Sequence, residues 1–299
     1  MTILDEETAD GAIPSAGADK PPVMGALSLG VHVWTAGRHQ QVSDHIAEEV
    51  PVALILNGIS HAVMMATPDD LDDFALGFGL TEGLLQAPAE LYGVEVIRTV
   101  NGFEVQMDVS SECAWRLRER RRNLAGRTGC GLCGTDSLSQ VRQPLPEVCP
   151  IQLDITSCFE AERGLRQGQR LQQLTGSTHA AAWCGLDGGV QLLREDVGRH
   201  NALDKLIGAM IRAEVDVRQG FVAITSRASF EMVQKVAMAR VGTLVAVSAP
   251  TALAIDTARQ AGVALVGMIR GQRLVVYGFA ERFGLAVSSD APAHGRGHA

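Results

Sequence analysis

The sequence predicts an α/β protein in two parts: a small β-β-α-β-β α+β domain over 45–111, then a larger α/β domain over 151–287 with a mostly parallel sheet. Asn57-Gly58 and Asn101-Gly102 each join two β-prone runs, and one helical pattern separates the two hairpins. Beyond residue 199, helical and strand patterns alternate as they do in right-handed β-α-β crossovers. The chain has 299 residues, 46% of them hydrophobic and 20% charged, which is enough apolar matter for cores of this size.

Residues 1–44 read as a largely disordered lead-in; their start, MTILDEETADGAIPSAGADK, is acidic and lacks the positive and apolar regions of a secretory signal. The first hairpin runs Pro51 to Asn57 and Ser60 to Ala66. Thr67-Pro68-Asp69-Asp70 then supplies an N-cap, a proline at the first helical position and acids in the first turn, opening a helix to about Leu85. The second hairpin runs Val94 to Val100 and Phe103 to Val109. Residues 112–150 show no sustained core period and read as an Arg-rich linker and loop.

Ser157-Cys158-Phe159-Glu160 has the pattern of a capping box opening a helix to about Leu174, followed by a strand pair turning near Asp187-Gly188-Gly189. Helices at 199–213, 229–240 and 251–261 then alternate with strands at 220–225, 243–248 and 263–268. A last strand covers Arg273 to Tyr277, and 288–299 is a polar, disordered tail.

Thirty-four acids against 26 bases give a formal charge of -8, the wrong balance for a nucleic-acid partner, so any anion site must be local. The apolar run from Val241 to Ile255 is too short to span a membrane, and the chain reads as soluble and cytoplasmic, with no membrane partner. Six cysteines (Cys113, Cys130, Cys133, Cys149, Cys158 and Cys184) are too sparse for a disulfide scaffold and read as reduced thiols.

The sharpest chemical feature is Gly129-Cys130-Gly131-Leu132-Cys133-Gly134. Two thiols separated by two residues can ligate a metal, form a disulfide or relay a sulfur atom. A zinc site lacks a second such pair, and a thioredoxin-type pair should end a strand, whereas a loop-like stretch precedes this one; an inert pair also stays open. Arg116, Arg118, Arg120, Arg121, Arg122 and Arg127 stand upstream with Glu112 and Glu119. Such a run is usually a solvated helix face, yet beside a thiol its guanidinium groups would favour the thiolate.

Glu195 to Lys205 packs acids, bases, imidazole and amide into one helix start. In the plain reading Glu195 with Arg199 and Asn201 with Lys205 knit the helix terminus; in the functional one Asp196 and Asp204 fix the tautomer of His200. Thr225 to Ser229, Ser248 to Thr251 and Arg270 to Arg273 would lie together at the carboxyl edge of a parallel sheet, where hydroxyls, arginines and helix N-termini suit phosphate oxygens. Taken singly, Ser226 and Ser248 read as N-caps. Neither a GxGxxG nor a Walker lysine motif is present, so ordinary NAD or ATP binding is not indicated.

EDVGRHNALDKLIG at 195–208, SRASFEMVQK at 226–235 and SAPTALAI at 248–255, with ATPDDLDDFALGFGLTEGLL at 66–85 and GCGLCGTDSL at 129–138, resemble the formate dehydrogenase accessory sulfurtransferase family, FdhD, over about 45–283. The resemblance implies an enzyme that accepts sulfur as a persulfide from a cysteine desulfurase and delivers it to the molybdenum cofactor, Mo-bis(molybdopterin guanine dinucleotide), of the formate dehydrogenase catalytic subunit. By position, Cys130 matches the persulfide-bearing residue and Cys133 its partner, while Met268, Ile269, Arg270, Gly271, Gln272 and Arg273 match the cofactor-contacting segment. It also implies a cytidine-deaminase-like second half and a homodimer. Deaminase zinc chemistry needs H-x-E, and His179-Ala180-Ala181 lacks the glutamate, so neither zinc nor another metal is expected. The alternative from a different class is a cofactor-binding chaperone whose cysteines are structural or metal-binding; a zinc-stabilised interaction protein is a third.

Overall fold

A computed structural model describes residues 24–125 and 144–286. It opens on β1 (Ala26–Thr35) and β2 (Arg38–Ala47), an antiparallel ribbon in full register through Thr35↔Arg38. Residues 26–35 and 38–44, expected in the lead-in, are therefore strand. The ribbon turns at Ala36-Gly37, both at positive φ, and carries its apolar residues Leu27, Leu29, Val31 and Val33 at period two. Most of both faces is exposed, so the pattern is not that of a core element.

The next elements follow the expected β-β-α-β-β order: β3 (Val50–Leu56), β4 (Ile59–Ala66), α1 (Leu71–Thr81), β5 (Leu91–Thr99) and β6 (Gly102–Val109). Their sheet runs β4-β3-β6-β5, with β3 and β6 parallel at its centre. Val52, Leu54, Leu56, Val105 and Met107 pack its inner face against Phe74 of α1. Asn57 takes the positive φ that the turn requires, and its side chain donates to Val109 O (2.9 Å) and accepts from Val109 N (2.8 Å), locking the hairpin to the end of β6.

Helix α1 begins later than the expected Pro68 start because Thr67 faces the other half of the molecule. Thr67 N donates to Asp196 Oδ2 (3.0 Å), its carbonyl accepts from Lys205 Nζ (2.9 Å), and its hydroxyl accepts from Val197 N (3.2 Å). The helix also ends before Leu85, since Gly83 turns at positive φ and the amides of Leu84 and Leu85 both fold back to Gly79 O.

Part of the expected linker is helical: α2 spans Ser111–Ala125. Ser110 Oγ accepts from Cys113 N (3.1 Å), the buried Cys113 thiol donates to Leu84 O (3.3 Å), and Arg116 pairs with Glu90 (2.6 Å), which together anchor the first turns. The glycine-cysteine motif, with Cys130 and Cys133, lies outside the described residues.

In the second half the expected helix to Leu174 is two helices, α3 (Ile155–Gly168) and α4 (Arg170–Thr175), broken at Gln169. Asp154, not Ser157, caps α3 by accepting from Thr156 N (2.8 Å). Strands β7 (His179–Gly185) and β8 (Val190–Asp196) follow, then α5 (Arg199–Arg212), β9 (Gly220–Ile224), α6 (Phe230–Met238), β10 (Thr243–Ala246), α7 (Ala252–Ala261), β11 (Ala264–Arg270) and β12 (Arg273–Gly278). The N-caps of α6 and α7 are Ser229 and Thr251 rather than Ser226 and Ser248.

These strands form one sheet in the order β12-β11-β10-β9-β7-β8. It is mixed, not mostly parallel: only β9 with β10 and β10 with β11 pair parallel. The physical reason is that β7–β8 and β11–β12 are joined by short turns, which can only connect antiparallel neighbours. Trp183, Leu206 and Val236 fill the core on one face; Cys158, Leu165, Phe221 and Val266 fill it on the other. Among the described residues no helix is long and apolar enough to cross a membrane.

Candidate functional site at the sheet edge

Strand direction brings the chemistry to one edge. Strands β9, β10 and β11 end there, β7 and β12 start there, and β8 ends there because His179 pairs with Asp196. The edge thus collects His179, Asp196, the start of α5, Thr225 to Ser229, Ser248 to Thr251 and the β11–β12 turn.

The charged groups at the start of α5 do not pair within that helix as the sequence suggests. Asp196 and Lys205, both fully buried, form an ion pair of 2.7 Å, and Asp196 also accepts from Gly198 N (2.7 Å) and Asn201 Nδ2 (3.0 Å). Glu195 reaches away from Arg199 and accepts the Leu171 and Gln172 amides, both at 2.8 Å, capping α4. Asp204 accepts from Thr81 Oγ1 (2.7 Å) and Lys235 Nζ (3.0 Å), and Lys235 also meets Glu82 (2.7 Å). Asp196 and Asp204 are therefore braces between elements, and neither orients His200.

The carboxylate beside His200 is Glu231, whose Oε2 lies 2.9 Å from His200 Nε2. Burial holds the His200 pKa below its ordinary value; Glu231 and Glu82 oppose this, while Arg199 and Lys235 reinforce it. Burial, with Arg199 adding and Asp196 opposing, lowers His179 as well. Both imidazoles are thus held towards the neutral form, able to donate from one nitrogen and accept at the other.

Arg199 Nε, His200 Nε2 and Ser229 Oγ are shut off from solvent and make no hydrogen bond, the short His200–Glu231 approach lacking the alignment for one. Such atoms stand ready for a ligand carrying acceptor oxygens.

The β11–β12 turn holds the whole segment Met268 to Arg273. Met268 sits at φ 57, inside an irregular stretch of pairing between Gly267 and Arg270. A left-handed backbone is unusual for so bulky a side chain, and residues held that way cluster at ligand clamps. The amides of Met268 and Ile269 donate to Ser248 O and Val247 O, both at 3.1 Å, so the loop after β10 holds the bend. Ile269 is buried; Arg270 Nη1 donates to Ile269 O (2.7 Å) and Val247 O (3.1 Å); Gly271 turns at positive φ; Gln272 and Arg273 are exposed.

Beside β7 the edge opens into a cavity of about 380 Å³, lined by Gln169, Gln172, Ser177, Thr178, His179 and Thr225 among others. Sequence reasoning did not mark it. Gln169 becomes a site residue only because the helix breaks there, and nothing in its neighbours' pattern announced the break.

The model of the FdhD/NarQ family matches residues 47–284. The chain is 54% identical over 244 residues to the sulfur carrier protein FdhD of Bordetella petrii, covering 81% of this chain and 88% of that one. It is 50% identical over 271 residues to the protein of the same name from Cupriavidus necator, covering 90% and 93%. The crystal structure of a putative formate dehydrogenase accessory protein from Desulfotalea psychrophila superposes with a TM-score of 0.69 at 22% identity, covering 86% of this chain and 98% of that one, which establishes a shared fold.

Proposed function

The chain belongs to the FdhD/NarQ family, and from that membership we propose that it is a sulfur carrier and sulfurtransferase serving formate dehydrogenase. Cys130 takes sulfur from a cysteine desulfurase: its thiolate attacks the outer sulfur of the donor persulfide, the donor S–S bond breaks, a new S–S bond forms on Cys130, and the donor leaves as thiolate. Cys133 is the second thiol of the pair. The Cys130 S–S bond then breaks, Cys130 leaves as thiolate, and the outer sulfur passes to Mo-bis(molybdopterin guanine dinucleotide), which binds the chain as substrate before it serves the formate dehydrogenase catalytic subunit; taking that sulfur from the sulfane to the sulfide level needs two electrons, which a reduced Mo(IV) centre would supply. The protein works in the cytoplasm as a homodimer, and its mixed six-stranded half is deaminase-like in arrangement.

The observation that carries this reading is the near full-length similarity to proteins named as sulfur carriers. The geometry adds support on the cofactor side. Met268 is held at φ 57 in the segment assigned to the cofactor, and Arg199 Nε and Ser229 Oγ are unpaired donors on the same edge. Phosphate oxygens of a dinucleotide would satisfy them. Intact-mass analysis after incubation with a cysteine desulfurase and cysteine tests the carrier step. A reducible added sulfur on the wild type and none on Cys130→Ala is expected; no added sulfur on the wild type, with the desulfurase shown active, sinks it in favour of a cofactor-binding chaperone.

A further inference from the structure

The ribbon of β1 and β2 has two unlike faces. Residues that stand opposite each other in an antiparallel pair share a face, so its register puts Leu27, Leu29, Val31 and Val33 of β1 together with Val42 and Ile46 of β2. Two charges interrupt this apolar face: Asp44, opposite Leu29, and Arg38, opposite Thr35 at the tip. The other face is mostly polar, and His32 and His39 bond to each other on it, Nδ1 to Nε2, at 2.9 Å.

The root of the ribbon is tied down. Glu48 N donates to Gly25 O (2.7 Å), Gly25 lies against Thr67 and Leu171, and β2 runs beside α4. Near this root the half-buried residues Ala26, His45 and Ala47 all belong to the polar face, whereas Leu27, Leu29 and Ile46 are exposed. The polar face is thus the one turned to the body of the chain, and the apolar face looks away from it. A two-stranded ribbon alone is marginal in water, and a bare apolar face on one invites another chain.

The two charges say which chain. Arg38 and Asp44 lie six residues apart on one strand, about 20 Å at the usual rise, too far to pair with each other. Asp44 Oδ1 accepts from the His45 amide (2.8 Å), and neither residue forms an ion pair among the described residues. Opposite charges towards opposite ends of one apolar face are self-complementary under a two-fold axis. When two such ribbons stack face to face and antiparallel, each Arg38 meets the partner's Asp44, the valines of both copies interleave at the centre, and Leu27 reaches the partner's Ala36.

We propose that the apolar face of the β1–β2 ribbon is the two-fold surface on which two copies of this chain associate, with Arg38 of each protomer paired to the partner's Asp44. The inference rests on the homodimer reading above and gives that dimer its surface.

Sedimentation equilibrium of the full-length protein at micromolar concentration tests it. The wild type should be a dimer. Arg38→Asp and Asp44→Arg should each raise the dissociation constant about tenfold or more, because each sets like charges opposite one another at two places, and the exchange Arg38→Asp/Asp44→Arg should restore it to within about threefold of the wild type. Both positions are exposed, so the fold is spared. Val31→Glu should also weaken association about tenfold or more, by placing a charge at the centre of the apolar contact. Val31 is on β1, so pairing through the free edge of β2 would not feel that change. A dimer indifferent to the single charge reversals or to Val31→Glu, or one that the charge exchange fails to restore, overturns this surface and leaves the homodimer reading standing. A monomeric wild type overturns both and assigns the face to a different protein or to residues 1–23 of the same chain. Sulfur loading on Cys130 is read separately, since none of these substitutions touches either cysteine of the pair.

Discussion

Gly77 of α1 and Gly208 of α5 let two helices from opposite halves of the molecule touch backbone to backbone. A Cβ on Gly77 would lie 1.8 Å from Asp204 O, and one on Gly208 would lie 1.9 Å from Asp73 O. Neither oxygen belongs to a flexible side chain, so neither can move aside.

Gly208→Ala should therefore destabilise the protein by about 2–3 kcal/mol, as overpacking does. The sign is diagnostic, because the same change in a helix with open space stabilises by about 0.5–1 kcal/mol. Urea denaturation of the two proteins decides between these signs.

Lys205→Met removes the counter-charge of Asp196 at a fully buried pair. Leaving a lone buried charge costs about 3–5 kcal/mol. Asp196 also accepts from Thr67, Gly198 and Asn201, so the loss should fall at the lower end of that range, and the double variant Asp196→Asn/Lys205→Met should recover much of it. Chemical denaturation of the double-mutant cycle measures the coupling.

Stability should fall on acidification from about pH 7.5 to 5.5 because of His179 and His200. Burial lowers the folded pKa of each, so between the folded value and the ordinary value of 6.5 the unfolded chain binds more protons, and stability rises with pH across that window. Replacing both histidines with glutamine should flatten the pH dependence of the denaturation midpoint there. An unchanged slope would show that other groups set it.

Cys158 and Cys184 should resist alkylation by iodoacetamide in the native protein near pH 8 and react fully once it is unfolded. Burial pushes both thiols up to about 12, so almost no thiolate is present. Cys113, raised in the same direction and bonded to Leu84 O, should behave alike. Peptide mass mapping reads each site.

Met268→Gly should change stability by no more than about 1 kcal/mol, since relief of the left-handed backbone offsets lost side-chain contacts. Activation of formate dehydrogenase should nonetheless drop if the bend exists to present that side chain to the cofactor. Full activation by this variant would reduce the bend to an accident of folding.

The first sheet was legible because its signals are local. Asn57-Gly58 and Asn101-Gly102 dictate turns, and inward residues such as Val52, Leu54 and Leu56 alternate strictly. The ribbon of β1 and β2 was missed because it has a two-residue period without a buried face. The break at Gln169 and the late start of α1 were missed for the opposite reason: both depend on Glu195 and Asp196, residues far along the chain. For the candidate site, the sequence placed Arg270 to Arg273 and the serine-rich strand ends on one edge, where they are. It could not supply the true partners of Asp196, Asp204 and His200, because i,i+4 proximity along a helix says nothing of which neighbouring element lies closer.

The bond from Lys205 to the Thr67 carbonyl joins residues 138 positions apart. At a synthesis rate of about 5–20 residues per second, Thr67 leaves the ribosome roughly 7–28 s before Lys205 does. For that interval the glycine face of α1 and the unanswered polar groups of Thr67 are in water, and the nascent chain offers a half-built surface to every chaperone and protease it meets. Its hold on a lasting structure begins only when the second half arrives, so slowed translation between the two helices should raise degradation of the newborn protein without altering the stability of the finished one.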